Sequence, residues 1–304
     1  MQPIAAWLVA RPLNGGIGLV VSLLLPMLTA ATSGLTPITG GVVMAHLLFA
    51  NGMRLALIQA AASVAFLAAL ALVSGEAMSQ IVVSALLVWV PAYLMAALAS
   101  RLRLITLTLQ VSVILAVVAV LAIFVALGDP LAYWDSAVTD LVTLFREAGA
   151  IEYADWLVES RAVVVPQLTM LVVFVAWSFL ITVLLLGYGL YQGLPGKAAV
   201  YGRFCDLNFG RVIAAVMAIA SVLAVFTGTV WLQNVSFLIF VTFWLQGLAI
   251  VHWLVAEKRV PPFLLIGTYI LMVPLFGLVV IGFSVLGYLD AWFNFRARKF
   301  VGRA

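Results

Sequence analysis

Four polar side chains stand inside or beside long apolar stretches of the sequence, where polar groups are rare. They are His46, Gln110, Gln246 and His252. A polar group within a membrane must find a partner and often has a function, so these side chains could bind a solute, share a metal or carry a proton. No carboxylate stands at metal-ligand spacing beside either histidine. Hydrogen bonds between helices are therefore favoured over a metal site.

Arg54 is a fifth candidate for binding a solute. It follows the pair Asn51 and Gly52 between two apolar runs, and Gln59 lies five residues further on. One interpretation is a basic anchor whose charged end reaches the membrane surface while its stem stays among apolar groups. The alternative is a buried cation that binds an anionic ligand or pairs with an acidic residue of the chain.

The glycine-rich segment 187–198 resembles a phosphate-binding loop only superficially. Tyr191 replaces the required first glycine and Ala198 the required Ser or Thr, and an apolar helix rather than a strand precedes them. Catalytic carboxylate pairs or Ser-His-Asp sets would have to join residues from opposite membrane faces. The sequence therefore predicts no enzyme, no metal site and no cofactor. Its single cysteine, Cys205, also allows no intrachain disulfide.

The composition is that of a membrane protein. Hydrophobic residues make up 66% of the 304 residues, and charged residues only 9%. Soluble domains carry about a quarter charged residues, so this chain belongs in a lipid bilayer. So few basic residues, placed beside membrane spans, also argue against nucleic acid as a partner.

The charges are divided unevenly along the chain. The segment 129–161 holds seven of the eleven acidic residues and only two arginines, for a net charge of −5. Elsewhere thirteen Lys and Arg residues face four acidic ones. This division predicts an acidic segment on one side of the membrane and basic loops on the other.

Nine apolar runs predict a membrane bundle of about eight to nine spans. They are 16–32, 37–50, 55–73, 81–99, 104–127, 162–191, 212–231, 235–256 and 262–289. The second run is short, and Pro37 with the pair Gly40 and Gly41 suggests a half-helix. The ninth is long, and Pro274 is expected to kink it. Small residues in several runs allow the close helix packing of a compact bundle.

Lys and Arg residues in short loops predict the orientation. On alternate crossings, one side receives Arg11, Arg54, Arg101, Arg103, Lys197, Arg203, Arg211, Lys258 and Arg259. That side, with the N-terminus, is then cytoplasmic, and segment 129–161 is extracytoplasmic. A ninth crossing would place the basic tail, Arg296, Arg298, Lys299 and Arg303, outside. The density of basic residues in the tail favours a cytoplasmic position instead. One run would then not cross the membrane, and the sequence does not identify which run this is.

The acidic segment is predicted to form one or two amphipathic helices. Asp129 and Pro130 supply a helix start. One apolar face then follows helical spacing, and a second pattern restarts after Gly149. The first face consists of Trp134, Val138, Leu141 and Phe145, and the second of Ile151, Ala154, Leu157 and Val158. A helix on the membrane surface, a lid over a site and a docking surface for a partner remain open, and the acidic charge favours the last two.

These observations predict an all-α polytopic fold in three parts: an N-terminal membrane bundle over 1–128, the acidic segment over 129–161, and a C-terminal membrane bundle with a basic tail over 162–304. We assign Trp134 to structural or partner contacts. The lipid bilayer is the certain partner. A small solute, a membrane protein or a second copy of the chain are further candidates.

Three blocks of the sequence resemble one family. They are 246–253 (QGLAIVHW), 287–298 (GYLDAWFNFRAR) and the stretch from Leu194-Pro195 to 201–204 (YGRF). The chain resembles the YybS-like predicted membrane proteins of bacteria, whose function is unknown and whose distant relatives are the substrate-binding subunits of energy-coupling-factor vitamin transporters. The resemblance implies a bacterial inner-membrane protein with a helical bundle that binds a small molecule from the outer side.

The residues that match the family pattern are Gln246, Gly247, His252, Gly287, Asp290, Asn294 and Arg296. Asp290 and Arg296 are six residues apart, so they can pair only if the helix ends between them. Structural anchoring of the last helix is the favoured interpretation of Asp290, Asn294 and Arg296.

Two functions fit these observations. The favoured one is a solute-binding or transport-associated membrane subunit, which predicts a cavity facing the acidic segment. The alternative is a non-transporting scaffold or assembly subunit of a membrane complex. That alternative is motivated by the lack of charged residues deep in the spans, where ion-coupled carriers keep them.

Overall fold

A computed structural model describes residues 2–27, 36–74 and 76–296 of the chain. The tail residues Arg298, Lys299 and Arg303 lie outside this part. The described residues form α-helices and two short 3-10 helices, and no β-strand. The α-helices are α1 (Gln2–Ala10), α2 (Pro12–Met27), α3 (Thr36–Ser74), α4 (Glu76–Leu102), α5 (Ile105–Leu127), α6 (Pro130–Glu147), α7 (Ile151–Val164), α8 (Leu168–Gln192), α9 (Gly210–Thr227), α10 (Val230–Thr242), α11 (Trp244–Ala256), α12 (Phe263–Met272) and α13 (Phe276–Phe293). The 3-10 helices are Val165–Gln167 and Phe204–Asp206.

Seven helical segments of the described chain are long and apolar enough to cross a membrane. They are Thr36–Val73, Gln80–Leu102, Ile105–Leu127, Ile151–Gln192, Gly210–Thr227, Val230–Ala256 and Phe276–Phe293. The prediction of an all-α, multi-pass membrane bundle is confirmed. The count is lower than the predicted eight to nine. The second and third runs form one helix with a break, and the apolar part of α2 is short for a span.

The described residues group into two compact units. The first comprises Met1–Thr108 and Ser178–Arg203, and the second comprises Leu109–Trp177 and Phe204–Ala304. Helices α5 and α8 therefore contribute residues to both units. This grouping differs from the three consecutive parts drawn from the sequence, because helices distant in the chain pack together within each unit.

In the first unit, α3 is broken at Gly52, which has a φ of 82° that glycine adopts readily. Both arms of α3 pack on α2. A Cβ added at Gly15 would meet Leu47 of the first arm and Gln59 of the second. Ser63 of the second arm donates a hydrogen bond to the carbonyl of Gly16. The predicted short run before Arg54 is thus an arm that ends at this break.

The second unit contains the acidic segment as a helical hairpin of α6 and α7. The side chain of Asp129 accepts a hydrogen bond from the amide of Ala132, so the predicted helix start is confirmed. The core between the two helices consists of Val138, Val142, Ala154, Leu157 and Val165, with Trp134, Phe145 and Leu168 packed against it.

Three apolar predictions for the hairpin were wrong. Val142 occupies the core, and Leu141 is 38% exposed. The reason is that the core residue after Val138 lies four positions further on, and not three. Ile151 and Val158 are also exposed. Helix α7 continues to Val164 and then leads through the 3-10 turn into α8, so the hairpin does not end at residue 161.

Helices α11 and α13 cross at very short distance in the second unit. A Cβ at Gly247 would collide with the carbonyl oxygen of Phe283, and one at Gly287 would collide with that of Phe243. Small residues at such crossings let two backbones approach, and in lipid this packing supplies much of the association energy. The predicted ninth run is also divided, because α12 ends at Met272 and α13 begins at Phe276, on either side of Pro274.

We expect Gly247→Ala and Gly287→Ala each to lower the melting temperature of the purified chain, because overpacking costs about 1–3 kcal/mol. Gly282→Ala is the matched control on α13, where an added Cβ meets nothing within 4 Å. This control should be neutral or stabilising by up to about 1 kcal/mol, since alanine favours a helix. Thermal unfolding in detergent measures all three variants. Equal destabilisation by Gly282→Ala would contradict the close crossing.

Candidate functional site

A buried ion pair joins Asp290 and Arg296. One guanidinium nitrogen of Arg296 lies 2.7 Å from Oδ2 of Asp290, and the two side chains are 9% and 0% exposed. Gln246 donates from Nε2 to the same carboxylate oxygen at 2.8 Å. The other oxygen, Oδ1, accepts from the amide of Phe295 at 2.9 Å. The carboxylate is therefore satisfied on both oxygens.

The pair forms because α13 ends between its two members. Asn294 adopts a left-handed conformation with a φ of 46°, and its amide donates to the carbonyl of Asp290. The chain then turns back, so that Arg296 reaches Asp290 despite the separation of six residues. This is the condition that the sequence set for pairing, and a left-handed asparagine is a common helix end.

The same network fixes the loop between α8 and α9. Arg296 donates to the carbonyls of Cys205 and Leu207, at 2.7 Å for the former. Gln246 accepts from the amide of Phe209 at 2.7 Å. The predicted structural role of Asp290, Asn294 and Arg296 agrees with these contacts. Gln246, in contrast, uses its amide in this network rather than in a cavity wall.

The other two candidates in the second unit also have protein partners. Gln110 donates to the carbonyls of Asn208 and Phe209 at 3.0 and 3.3 Å. Gln110 and Gln246 thus hold the same loop from two helices. His252 lies apart from them, where its Nε2 is 2.9 Å from the hydroxyl of Tyr269.

The two candidates in the first unit have different environments. His46 is fully buried, and its Nε2 lies 3.1 Å from the carbonyl oxygen of Ala5. Arg54 is exposed just beyond the break at Gly52, so the interpretation of this residue as a buried cation was wrong. Among the described residues no group of three or more His, Cys, Asp or Glu side chains could hold a metal ion.

A cavity of about 380 Å³ opens in the second unit where the hairpin joins the bundle. Its wall comes from the start of α8, the end of α9 and the start of α10. The lining residues are Gln167, Met170, Ser221, Ala224, Val225, Gln233, Asn234, Ser236 and Phe237. None of the five ligand-binding candidates from the sequence belongs to this wall.

Asn234 builds the junction between this cavity and the hairpin. Its side-chain oxygen accepts from the amide of Met170 at 2.8 Å, and its side-chain nitrogen donates to the carbonyl of Pro166 at 2.7 Å. An uninterrupted α-helix would join these two backbone groups directly. The amide of Asn234 instead satisfies both groups where the 3-10 turn leads into α8.

The sequence did not predict the role of this part of the chain. Gln233 and Asn234 fall between the apolar runs 212–231 and 235–256, which indicates a turn between two spans. They lie in the first turns of α10, and the turn is at Gly228, which caps α9 in a left-handed conformation. The only signal in the sequence was an amide pair next to an apolar run, which also fits a loop.

The hairpin is attached to α8 and clamped internally. Trp134 donates from its indole nitrogen to the hydroxyl of Thr169 at 2.7 Å, so its predicted structural role agrees with the contacts. Arg161 of α7 pairs with Asp135 of α6 at 2.5 Å and also donates to the hydroxyl of Thr139. Hydrogen bonding by Arg161 lowers the pKa of the Asp135 carboxyl below its ordinary value.

No protein-family model, curated protein or solved structure matches the chain. The resemblance to the YybS-like family therefore stays a prediction.

We expect Asp290→Ala to destabilise the chain by about 3–5 kcal/mol, because it leaves Arg296 charged and without its carboxylate. Glu257→Ala removes an exposed carboxylate near the end of α11 and is the matched control, with an effect within about 0.5 kcal/mol. Denaturation of the purified chain measures both. Combining Asp290→Leu with Arg296→Met should cost less than the sum of the two single changes, and strict additivity would contradict direct pairing.

We expect the stabilising effect of Arg161 to depend on pH. The pKa of Asp135 is lower in the folded chain than in the unfolded chain, so its contribution is fully present above the ordinary carboxyl value of about 3.9. This contribution is lost as the pH falls through the lowered folded-state pKa. The difference in melting temperature between the unmodified chain and Arg161→Gln should therefore shrink in acid.

Arg146→Gln is the control for this titration. Arg146 pairs with Asp155 across the same hairpin at 3.5 Å, with both side chains more than half exposed. Its removal should have a smaller effect at neutral pH. A difference for Arg161→Gln that persists unchanged below the ordinary carboxyl value would show that pairing with Asp135 does not cause it.

Proposed function

We propose that the protein is a solute-binding membrane subunit and that the cavity at the base of the hairpin is its binding site. A volume of about 380 Å³ is within the range of small-molecule sites. The observation that carries the proposal is the position of this cavity next to the end of the acidic hairpin. Gln167, in the 3-10 helix that follows α7, lines the cavity, and Asn234 of the wall donates a hydrogen bond to the carbonyl of Pro166. This is the arrangement that the solute-binding hypothesis expects.

The wall chemistry supports an uncharged solute with one polar edge. Gln167 and Gln233 are exposed and offer amide groups to a ligand. The hydroxyl of Ser221 donates a hydrogen bond to the sulfur of Met217. A thioether is a weak acceptor, so Ser221 can redirect its donor to a ligand. Met170 and Phe237 supply apolar surface. The described residues that line the cavity include no Asp, Glu, Lys, Arg or His.

The acidic hairpin supports the same choice of solute. Segment 129–161 has a net charge of −5 and leads through the 3-10 helix Val165–Gln167 into the cavity wall, so it disfavours the approach of anions. The ion pair between Arg161 and Asp135 holds the two helices of the hairpin together.

The scaffold function remains a second candidate, because the hairpin exposes three aromatic side chains. Tyr133, Tyr153 and Trp156 are each more than half exposed. Aromatic residues are enriched in protein interfaces, so this surface could hold a partner of the membrane complex. The same side chains also suit the membrane interface.

Native mass spectrometry of the gently purified chain tests the proposal. We expect a bound small molecule whose occupancy falls about tenfold in Gln233→Ala and in Ser221→Ala, because each change removes one hydrogen bond to the ligand. Gln80→Ala is the matched control, since Gln80 is exposed on α4 and outside the cavity. Equal occupancy in all variants would contradict this site. A stoichiometric protein partner without a small molecule would favour the scaffold.

A further inference from the structure

A second, larger cavity lies within the first unit, as a groove between α2 and the second arm of α3. Its volume is about 600 Å³. Apart from Gln59 and Ser63, its lining consists of Pro, Leu, Ile, Val, Ala, Phe and Gly residues. Several of them, including Leu13, Ile58 and Phe66, are more than half exposed. The groove is therefore an open apolar channel along the side of two helices.

The two polar side chains in the groove are already occupied. Gln59 donates to the carbonyl of Pro12 at 2.8 Å and accepts from Asn51 at 3.2 Å. Ser63 donates to the carbonyls of Gly16 and of Gln59. A polar solute would find few free hydrogen-bonding groups here. The chemistry of the groove instead fits a hydrocarbon chain.

The length of the groove fits one membrane leaflet. The contacts from Gln59 to Pro12 and from Ser63 to Gly16 show that the second arm of α3 runs parallel to α2. The lining extends over residues 55–66 of this arm. At 1.5 Å per residue this is roughly 16 Å, about half of the hydrocarbon thickness of a bilayer.

Two arginines mark one end of the groove. Arg11 immediately precedes Pro12, and Arg54 immediately precedes Leu55, where the lining begins on each helix. Because the two helices run parallel, both arginines lie at the same end. Both side chains are exposed, and neither forms an ion pair with any residue of the described chain. Positive charge at the end of an apolar groove of leaflet length matches an anionic phospholipid.

We propose that this groove binds an anionic phospholipid, with one acyl chain between α2 and α3 and the phosphate at Arg11 and Arg54. The groove shares no lining residue with the cavity beside the hairpin, so lipid binding here is tested separately from the proposed function. The arginines supply the preference for a negative headgroup, and the apolar walls hold the chain without selecting a headgroup.

Native mass spectrometry of the full chain after exchange into mixed phosphatidylglycerol and phosphatidylcholine tests this proposal. We expect one retained phosphatidylglycerol in preference to phosphatidylcholine. The double variant Arg11→Gln/Arg54→Gln should lose this preference roughly 30-fold, given the usual gain per basic residue near an anionic surface. Arg101→Gln, at the exposed end of α4 outside the groove, is the matched control and should keep the preference.

A second variant separates the groove from the arginines. Ala62→Phe fills the groove from its exposed wall and should reduce retention of both lipids, with an unchanged melting temperature as the check on folding. Equal retention of the two lipids by the unmodified chain would overturn the proposal. So would full retention by folded Ala62→Phe, or a loss in Arg101→Gln equal to that of the double variant.

Discussion

The carboxylate of Asp290 imposes the strongest constraint on the second unit. A charge that is fully buried in an apolar bundle is stable only with a partner and a complete set of hydrogen bonds. Arg296, Gln246 and the amide of Phe295 supply them. Because Gln246 belongs to α11, Asp290 to α13, and Phe295 and Arg296 to the chain after α13, the network fixes these three parts relative to each other. The loop before α9 is fixed as well.

The close crossing of α11 and α13 makes this network possible. Gly247 lies one residue after Gln246, and Gly287 lies nearly one turn before Asp290. Without side chains at these two glycines, the backbones approach far enough for an amide on one helix to reach a carboxylate on the other. Packing and polar pairing therefore depend on each other here. Neither would hold the last helix as firmly alone.

The sequence predicted what depends on local pattern. Apolar runs gave the helices, Asp129 gave the start of the hairpin, and the condition for pairing Asp290 with Arg296 followed from helical spacing. Leu141 was wrongly assigned to the buried face of α6, because the spacing of four apolar residues does not distinguish it from its neighbour Val142. The residues that line the cavity beside the hairpin could not be predicted. Its wall depends on Asn234 bridging Pro166 and Met170, which are more than sixty residues away.

The division into two discontinuous units has a consequence for biosynthesis. The first unit needs residues up to Arg203, and the second needs the residues that hold Asp290 and Arg296. The first unit is therefore complete only after α8 has been inserted, although its other helices precede α8 by many residues. The carbonyls of Cys205 and Leu207, in the loop after α8, gain their hydrogen-bond donor only when Arg296 has been synthesised. Each unit is consequently completed only after helices that lie far apart in the chain have been inserted, and not helix by helix.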